Sequence, residues 1–260
     1  MVNYSQYMAV KSAYGPDNIM YLLIDTGNTQ VKYMQSHQGE MGLIERTSNE
    51  RFLQLLPSFE NVQQILVASV ANDTFADSIC QWAKDNNIVC QHLMTQAESF
   101  AIKNSYANYH TMGIDRWLAV IAAEQLYPNR NLIVIDSGTA TTIDVLSADK
   151  QHQGGWIVPG IDLMANSLFS NTDKVFGEVS AIEQLQFGRS TPDNVNMGVW
   201  AINIGLVNQA ISLCKQQQLD DVILVFTGGY GDSLKKAGKF NGETVEDLVF
   251  QGIARFIDGS

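Results

Sequence analysis

The sequence lacks the features that mark proteins of nucleic acids, membranes or secretion. It carries 16 Lys and Arg against 27 Asp and Glu, a formal net charge of -11, with no Lys/Arg-rich stretch. Because nucleic acids and anionic membranes attract basic surfaces, this balance argues against both as partners. No apolar run approaches the roughly 20 residues of a membrane helix, and the first twenty residues do not resemble a signal peptide.

Cysteine is also scarce. Cys80, Cys90 and Cys214 are odd in number and form no closely spaced pair. Their positions predict neither a disulfide framework nor a zinc site. The four histidines show no metal-ligand spacing either. We therefore expect a protein of a reducing compartment, the cytoplasm.

Length and hydrophobic content allow a substantial core. The chain has 260 residues, 45% of them hydrophobic, which suits one large domain or two of roughly 100 to 150 residues. No low-complexity tract or long Pro/Gly/Ser linker divides it. Residues 1–19 are polar and are interpreted as an extension ahead of the fold, which is expected to begin at Met20.

Hydrophobic periodicity predicts a mixed α/β chain. The predicted strands lie near 20–25, 30–35, 64–70, 88–93, 132–136, 141–146, 155–158 and 222–226. The predicted helices lie near 74–87, 115–126, 161–169 and 193–218.

One short motif occurs twice, each time after an apolar, strand-like run. The copies are Asp25-Thr26-Gly27-Asn28-Thr29 and Asp136-Ser137-Gly138-Thr139-Ala140-Thr141-Thr142. In a tight hairpin of this kind, glycine lets backbone N–H groups approach phosphate oxygens while the carboxylate holds a cation. We expect Thr139 to face phosphate. The alternative is a plain turn, because Asp, Gly and Asn are common in hairpins.

The two copies lie 136 − 25 = 111 residues apart, close to half a chain. This spacing predicts an α/β fold of duplicated actin-like (ribonuclease H-like) domains, at 20–112 and 113–260, with a central cleft for nucleotide. Actin-like and sugar-kinase-like ATPases have this architecture.

Two further motifs predict ligand contacts. Gly113-Ile114-Asp115-Arg116 opens an apolar helix, and an arginine is electrostatically misplaced in a first turn. Together with the outward N–H groups it would suit a carboxylate or phosphate, although a cap or an ion pair is the simpler explanation. Thr227-Gly228-Gly229 ends a buried strand, where open α/β sheets place ligands; a strand-to-helix turn is the alternative.

In this order and spacing, the motifs resemble the type III pantothenate kinases of bacterial coenzyme A synthesis, in the acetate and sugar kinase, heat-shock and actin superfamily. The resemblance extends from Met20 to Phe256. It rests on the segments 25–32, 106–116, 136–144, 154–160, 188–191 and 227–229.

The resemblance implies ATP-dependent phosphorylation of pantothenate to 4′-phosphopantothenate by a homodimer whose substrate site is completed at the subunit interface. It implies ATP with Mg²⁺, and a monovalent cation, K⁺ or NH₄⁺, on Asp136. The implied general base is Asp115. The implied ATP contacts are Asp25, Thr26, Gly27, Asn28, Thr29, Gln30, Val31, Lys32 and Thr139. The implied pantothenate contacts are Tyr106, Gly113, Ile114, Asp115, Arg116 and Thr191.

Two other functions are compatible with the motifs. Another small-molecule kinase of the superfamily would keep both hairpins. The second is a nucleotide-binding accessory protein without turnover. The presence of Asp25, Asp115 and Asp136 argues against it, because a pure binding module does not need a general base. The family usually has proline where this chain has Tyr109, so the loop before Asp115 lacks the backbone restriction that proline imposes.

Overall fold

A computed structural model describes residues 20–27, 30–37, 40–70, 73–169 and 179–257. The strands are β1 Met20–Thr26, β2 Gln30–His37, β3 Glu40–Met41, β4 Glu45–Ser48, β5 Val62–Ser69, β6 Val89–Leu93, β7 Glu98–Ser99, β8 Ile102–Lys103, β9 Leu132–Ser137, β10 Ala140–Leu146, β11 His152–Pro159, β12 Ile223–Thr227 and β13 Gly242–Thr244. The α-helices are α1 Asn49–Leu55, α2 Asp73–Asp85, α3 Ile114–Leu126, α4 Ile161–Phe169, α5 Thr191–Gln216, α6 Gly231–Gly238 and α7 Leu248–Ala254.

The described residues form two compact units. The first contains those up to Leu126 and those from Asp247 onward, and the second is Tyr127–Glu246. Helix α3 therefore belongs to the first unit, whereas the sequence analysis divides the chain ahead of it. Helix α3 packs against α7, where a Cβ at Gly252 would collide with the carbonyl oxygen of Leu118. That close backbone approach attaches the end of the chain to the first unit.

The first unit is built on a sheet of order β3-β2-β1-β5-β6, with β4 also paired to β2. Strand β1 is antiparallel to β2 and parallel to β5. It is buried from Tyr21 to Thr26, which explains its nearly continuous apolar sequence. Helix α3 is buried from Arg116 to Glu124, because it lies inside the unit rather than on its surface.

The second unit repeats this topology. Its sheet has the order β11-β10-β9-β12-β13, with β9 antiparallel to β10 and parallel to β12. In each unit the first strand is central, forms a hairpin with the second, and pairs in parallel with a strand that arrives after a crossover. The predicted duplicated α/β fold is confirmed by this repeat.

The long elements were predicted and the short ones were not. Sequence periodicity missed the short strands and helices β3, β4, α1, β7, β8, β13, α6 and α7. The missed strands have at most four residues and the missed helices at most eight, which is too short for a periodic pattern to stand out.

The expectation that no cysteines pair was wrong. Cys80 in α2 and Cys90 in β6 form a disulfide with their Cα atoms 5.2 Å apart. A tight turn with Asn87 at φ 57° folds β6 back along α2, and this contact was not visible in the linear spacing. Cys214 is free and buried in α5.

Helix α5 bears on the expectation that no apolar run is long enough for a membrane helix. It has 26 residues, and by length and composition it could cross a membrane. One face of the helix, with Val199, Trp200 and Val207, packs into the core of the second unit. A core helix of a soluble protein passes the same test, so this is weak evidence for a span.

Candidate active site

The first predicted phosphate hairpin joins β1 to β2. Asp25 pairs with Lys32 across the hairpin, with 3.4 Å between the Lys32 Nζ and the Asp25 Oδ2. Asp25 is 7% exposed. Burial raises the pKa of its carboxyl above the ordinary 3.8, Lys32 lowers it again, and the charge of Asp115 raises it further. Asp25 is therefore a desolvated carboxylate with one cationic and one anionic neighbour.

The other residues of this hairpin close the turn or are buried in the core. The Gly27 N–H donates to the Gln30 carbonyl at 2.9 Å, which closes the turn. Val31 is fully buried, so its side chain packs in the core. The Thr26 Oγ1 is buried without a hydrogen-bond partner among the residues described. Two predicted ATP contacts, Asn28 and Thr29, lie outside the described residues.

Asp115 lies in the first turn of α3 and is half-buried. Its Oδ1 accepts a hydrogen bond from the Arg116 N–H at 2.8 Å. A Cβ at Gly113 would stand 2.6 Å from the same Oδ1, which explains glycine there. Because the charge of Asp115 acts on Asp25, the first unit brings together two acids that are 90 residues apart in sequence.

Two predicted substrate residues meet directly. The Arg116 Nη1 donates to the Tyr106 hydroxyl at 2.9 Å, and the guanidinium carbon lies 5.8 Å from the centre of the Tyr106 ring. Arg116 is only 6% exposed. A buried arginine usually needs a partner, and the Tyr106 hydroxyl is one partner of Arg116. Ile114 is 5% exposed and faces the core, so the motif combines a packing residue with polar ones.

The second predicted hairpin joins β9 to β10. Asp136 pairs with Thr142 across it and with Thr227 on the neighbouring β12. The Gly138 N–H donates to the Ala140 carbonyl at 2.9 Å. Thr139, at the tip, has an exposed side chain, as a phosphate contact requires.

The loop after β12 lies against this hairpin. Gly228 has φ 82°, and a Cβ there would collide with the Asp136 Oδ1 and stand 2.6 Å from the Ser137 carbonyl oxygen. The Tyr230 N–H donates to that carbonyl at 2.9 Å. Only glycine fits at position 228, because it needs both the left-handed backbone and the missing side chain.

Sequence reasoning missed the contacts that fix the second hairpin. The Gly160 N–H donates to the Thr139 carbonyl at 2.9 Å, and the Tyr230 hydroxyl donates to the Asp162 Oδ1 at 2.7 Å. Desolvation and this bond raise the pKa of Tyr230 to about 12. Glycine at 160 and 228 was the available signal, but the partners became visible only in the tertiary structure.

The remaining predicted substrate residue, Thr191, is exposed and opens α5 in the second unit. The Ser190 hydroxyl caps this helix by accepting from the Asp193 N–H at 3.3 Å. No cluster of three or more His, Cys, Asp or Glu that could hold a metal occurs within the described ranges.

Comparison with known proteins identifies the family. The model of the family "Type III pantothenate kinase" matches residues 21–213. A type III pantothenate kinase of Colwellia psychrerythraea is 35% identical over 242 residues, covering 92% of this chain and 96% of that protein. One of Pseudoalteromonas translucida is 36% identical over 236 residues, covering 90% and 94%.

Solved structures agree on the fold. A Campylobacter jejuni protein described as a Baf family transcriptional activator matches with a TM-score of 0.55 at 25% identity, covering 91% of this chain and 97% of that one. The ethanolamine utilization protein EutJ of Carboxydothermus hydrogenoformans matches with a TM-score of 0.52 at 12% identity, covering 94% and 91%, and shows the fold alone. With the matching family model and relatives that align over nearly their whole length, the chain belongs to the type III pantothenate kinase family.

Proposed function

We propose that this protein transfers the γ-phosphoryl group of ATP to pantothenate, giving 4′-phosphopantothenate, the first step of coenzyme A biosynthesis. Family membership supports the reaction. The observation that carries it in this chain is the approach of the Asp115 loop to the first hairpin: a Cβ at Gly113 would stand 4.0 Å from the Val70 Cγ1, and the Val70 N–H donates to the Thr26 carbonyl at 3.2 Å. It links the phosphate hairpin to the acid proposed to act on the acceptor alcohol.

Asp115 is the proposed general base. Phosphoryl transfer runs through a loose transition state, so the protein mainly aligns the partners and offsets charge on the phosphoryl oxygens. A carboxylate at this position needs only to orient the pantothenate hydroxyl and accept its proton late. The hydrogen bond from the Arg116 N–H, at 2.8 Å, fixes the carboxylate for that task.

The first hairpin is proposed to bind ATP with Mg²⁺. The buried Asp25 beside Asp115 concentrates negative charge that a divalent cation would offset, and Lys32, whose side chain is 45% exposed, can turn toward phosphate. The unpartnered Thr26 Oγ1 offers a further polar atom. When bound, Mg²⁺ neutralises charge on the β- and γ-phosphates. The proposed ATP contacts are Asp25, Thr26, Gly27, Asn28, Thr29, Gln30, Val31, Lys32 and Thr139.

Asp136 is the proposed ligand of a monovalent cation, K⁺ or NH₄⁺. Because no metal-type cluster of acids and histidines exists in the part of the chain that the structure describes, the remaining ligands would be backbone carbonyls, which suit K⁺. The Ser137 carbonyl and the side-chain-free Gly228 beside Asp136 fit this need.

Arg116 and Tyr106 are proposed to bind the pantothenate carboxylate, with Gly113, Ile114 and Thr191 as further contacts. In a chain of net charge -11, an anionic substrate needs a local cation, and a guanidinium pairs strongly with carboxylates. The Tyr106 hydroxyl, 2.9 Å from Arg116, sets the orientation of that guanidinium.

A homodimer is proposed through an uncharged face of the second unit. Leu163, Leu168 and Ile202 are 52%, 48% and 55% exposed on α4 and α5, beside a groove of about 300 Å³. A Cβ at Gly198 or Gly205 would meet nothing, so a partner helix could approach closely. Because two strongly acidic copies repel elsewhere, an uncharged face is the favoured contact.

Replacing one residue of this face tests the dimer. Ile202→Glu places a charge in the face, and we expect the molar mass from light scattering to fall from that of a dimer to that of a monomer. Asn241→Glu, at an exposed position of the second unit outside α4 and α5, is the control. A wild-type monomer, or an Ile202→Glu dimer, would contradict the proposal.

We infer a cytoplasmic location, because ATP is a cytoplasmic substrate, and the acidic composition supports a protein without a nucleic-acid or membrane partner.

A coupled assay tests the function. ADP release is measured with ATP, Mg²⁺ and pantothenate, in K⁺ and then in Na⁺, with acetate and sugars as alternative acceptors. We expect turnover only with pantothenate and faster turnover in K⁺. Equal rates in K⁺ and Na⁺ would support the kinase activity and contradict the proposed cation site at Asp136. ATP binding without turnover on any acceptor would favour the accessory protein instead.

A further inference from the structure

The segment that carries the proposed substrate residues is joined to the end of the chain by a cluster of four side chains, which we call the Arg255 cluster: Phe100, Glu124, Arg255 and Phe256. The Arg255 Nη1 donates to the Glu124 Oε2 at 2.9 Å and to the Ile121 carbonyl at 2.7 Å. The Arg255 and Glu124 side chains are 15% and 4% exposed. One guanidinium thus binds two groups on the same face of α3, three residues apart in sequence.

The same guanidinium covers an aromatic ring. The Arg255 guanidinium carbon lies 4.2 Å from the centre of the Phe100 ring, close enough for a cation–π interaction. Phe256 meets Phe100 edge to face, with the ring centres 5.1 Å apart. Residues 255 and 256 therefore hold Phe100 from two sides.

Phe100 occupies an unusual backbone conformation. Phe100 and Ala101 form the two-residue turn between β7 and β8, with φ of 53° and 63°. Turns of this kind normally use Asn-Gly or Gly-Gly, because most side chains disfavour positive φ. A strained turn persists only where its surroundings hold it, and here the Arg255 cluster does so.

This turn leads directly into the substrate segment. The Asn104 N–H donates to the Ala97 carbonyl at 2.9 Å, and the Asn104 Oδ1 accepts from the Tyr106 N–H at 2.9 Å. The Thr95 hydroxyl donates to the Met112 carbonyl at 2.8 Å. The β7–β8 hairpin is thereby connected to Tyr106 and to the residue before Gly113.

We propose that Arg255 is a positioning residue for the pantothenate site, an inference that rests on the proposed function. It fixes both ends of one assembly: the strained hairpin that places Tyr106, and the helix α3 that places Asp115 and Arg116. Because both ends bind the same guanidinium, movement of the hairpin relative to α3 is restricted. Arg255 touches neither substrate in this role and acts through Tyr106 and Arg116.

Conservative replacements test the role. Arg255→Lys keeps the charge but loses the planar group that serves two acceptors and a ring at once. Phe100→Leu keeps apolar volume and removes the ring, and it carries the test where Arg255→Lys does not fold. Ile79→Val, in the buried core of the same unit, is the control for a modest loss of stability.

We expect Arg255→Lys to raise the pantothenate KM about tenfold, because it displaces Tyr106 and Arg116, the proposed pantothenate contacts, and small displacements of such groups have large effects. The ATP KM should change less than about twofold. Phe100→Leu should act in the same direction and more weakly. Amide hydrogen exchange over residues 96–116 should be faster in both variants than in Ile79→Val at matched Tm. Unchanged exchange and unchanged pantothenate KM in the folded variants would overturn the proposal.

Amide hydrogen exchange distinguishes a failure of this proposal from a failure of the proposed function on which it rests. Faster exchange over 96–116 in a protein whose wild type does not use pantothenate would support the positioning of the segment and reject the substrate. Pantothenate turnover with unchanged exchange and KM in the variants would support the function and reject the positioning role.

Discussion

The two phosphate hairpins share a backbone plan and differ in chemistry. In the first unit the Thr26 carbonyl accepts from the Val70 N–H at 3.2 Å, and in the second the Ser137 carbonyl accepts from the Tyr230 N–H at 2.9 Å. In both, the loop after the parallel neighbour strand closes onto the last residue of the central strand. Duplication has preserved the main-chain connections.

The side chains have diverged around that plan. Asp25 faces Lys32 across its hairpin and lies within the field of Asp115, whereas Asp136 faces Thr142 and lies under Gly228. The first hairpin therefore has charges as neighbours, and the second has hydroxyl groups and backbone. In the proposed function, the first unit accordingly supplies the charged groups for the reaction, and the second supplies backbone groups that contact the ligand.

The largest expected effect concerns the acid of the first unit. Asp115→Asn should lower kcat by about 10²- to 10⁴-fold, the usual contribution of general acid–base catalysis, while KM for ATP changes little. The fold should persist, because the amide can still accept from the Arg116 N–H. Steady-state kinetics and circular dichroism measure both.

Asp232→Asn is the matched control for Asp115→Asn, because Asp232 also lies in a first helical turn, but its side chain is 46% exposed and pairs with Lys236. A near wild-type kcat for Asp115→Asn would contradict the role of Asp115 as general base. It would also contradict the proposed difference in chemistry between the two units.

An intermediate effect is expected in the second unit. Gly228→Ala forces a side chain into a position with φ 82° and against Asp136, at a cost on the order of 1–3 kcal/mol. We expect a lower Tm and a higher ATP KM. Gly229→Ala is the control, because a Cβ there meets nothing within 4 Å. Equal behaviour of the two variants would show that the close approach of this loop to Asp136 is unimportant.

The smallest expected effect is on stability, and it follows from the burial of Asp25 in the first hairpin. Because burial raises the pKa of Asp25 above 3.8 in the folded protein, its protonated form favours folding and its ionised form opposes it. That contribution is complete below the unfolded pKa and is lost as pH rises through the folded pKa. Asp25→Asn should therefore raise Tm at pH 7, and the gain should shrink toward acid pH.

Thermal unfolding of Asp25→Asn and wild type from pH 3.5 to 8 measures this difference. Asp77→Asn, on α2 in the same unit, is an exposed control for the loss of one acid. A gain in Tm that does not change with pH would contradict the assigned cause.

The central strands and long helices could be predicted because their patterns are local. The apolar run of β1, the repeated Asp-x-Gly and the apolar run of α3 each identify an element without reference to the rest of the chain. The Cys80–Cys90 pair and the strained Phe100–Ala101 turn could not be predicted, because neither has a local signature.

The sequence by itself determined the family, the duplicated α/β fold and the acids available for chemistry, since these depend on residue type, order and spacing. Only the tertiary structure decided which of them are neighbours: that Asp115 acts on Asp25, that Arg116 binds Tyr106, and that Arg255 reaches Phe100 from 155 positions further along the chain. The physical reason is that burial and electrostatic fields depend on distance in space, which chain order does not specify when strands pair across long crossovers.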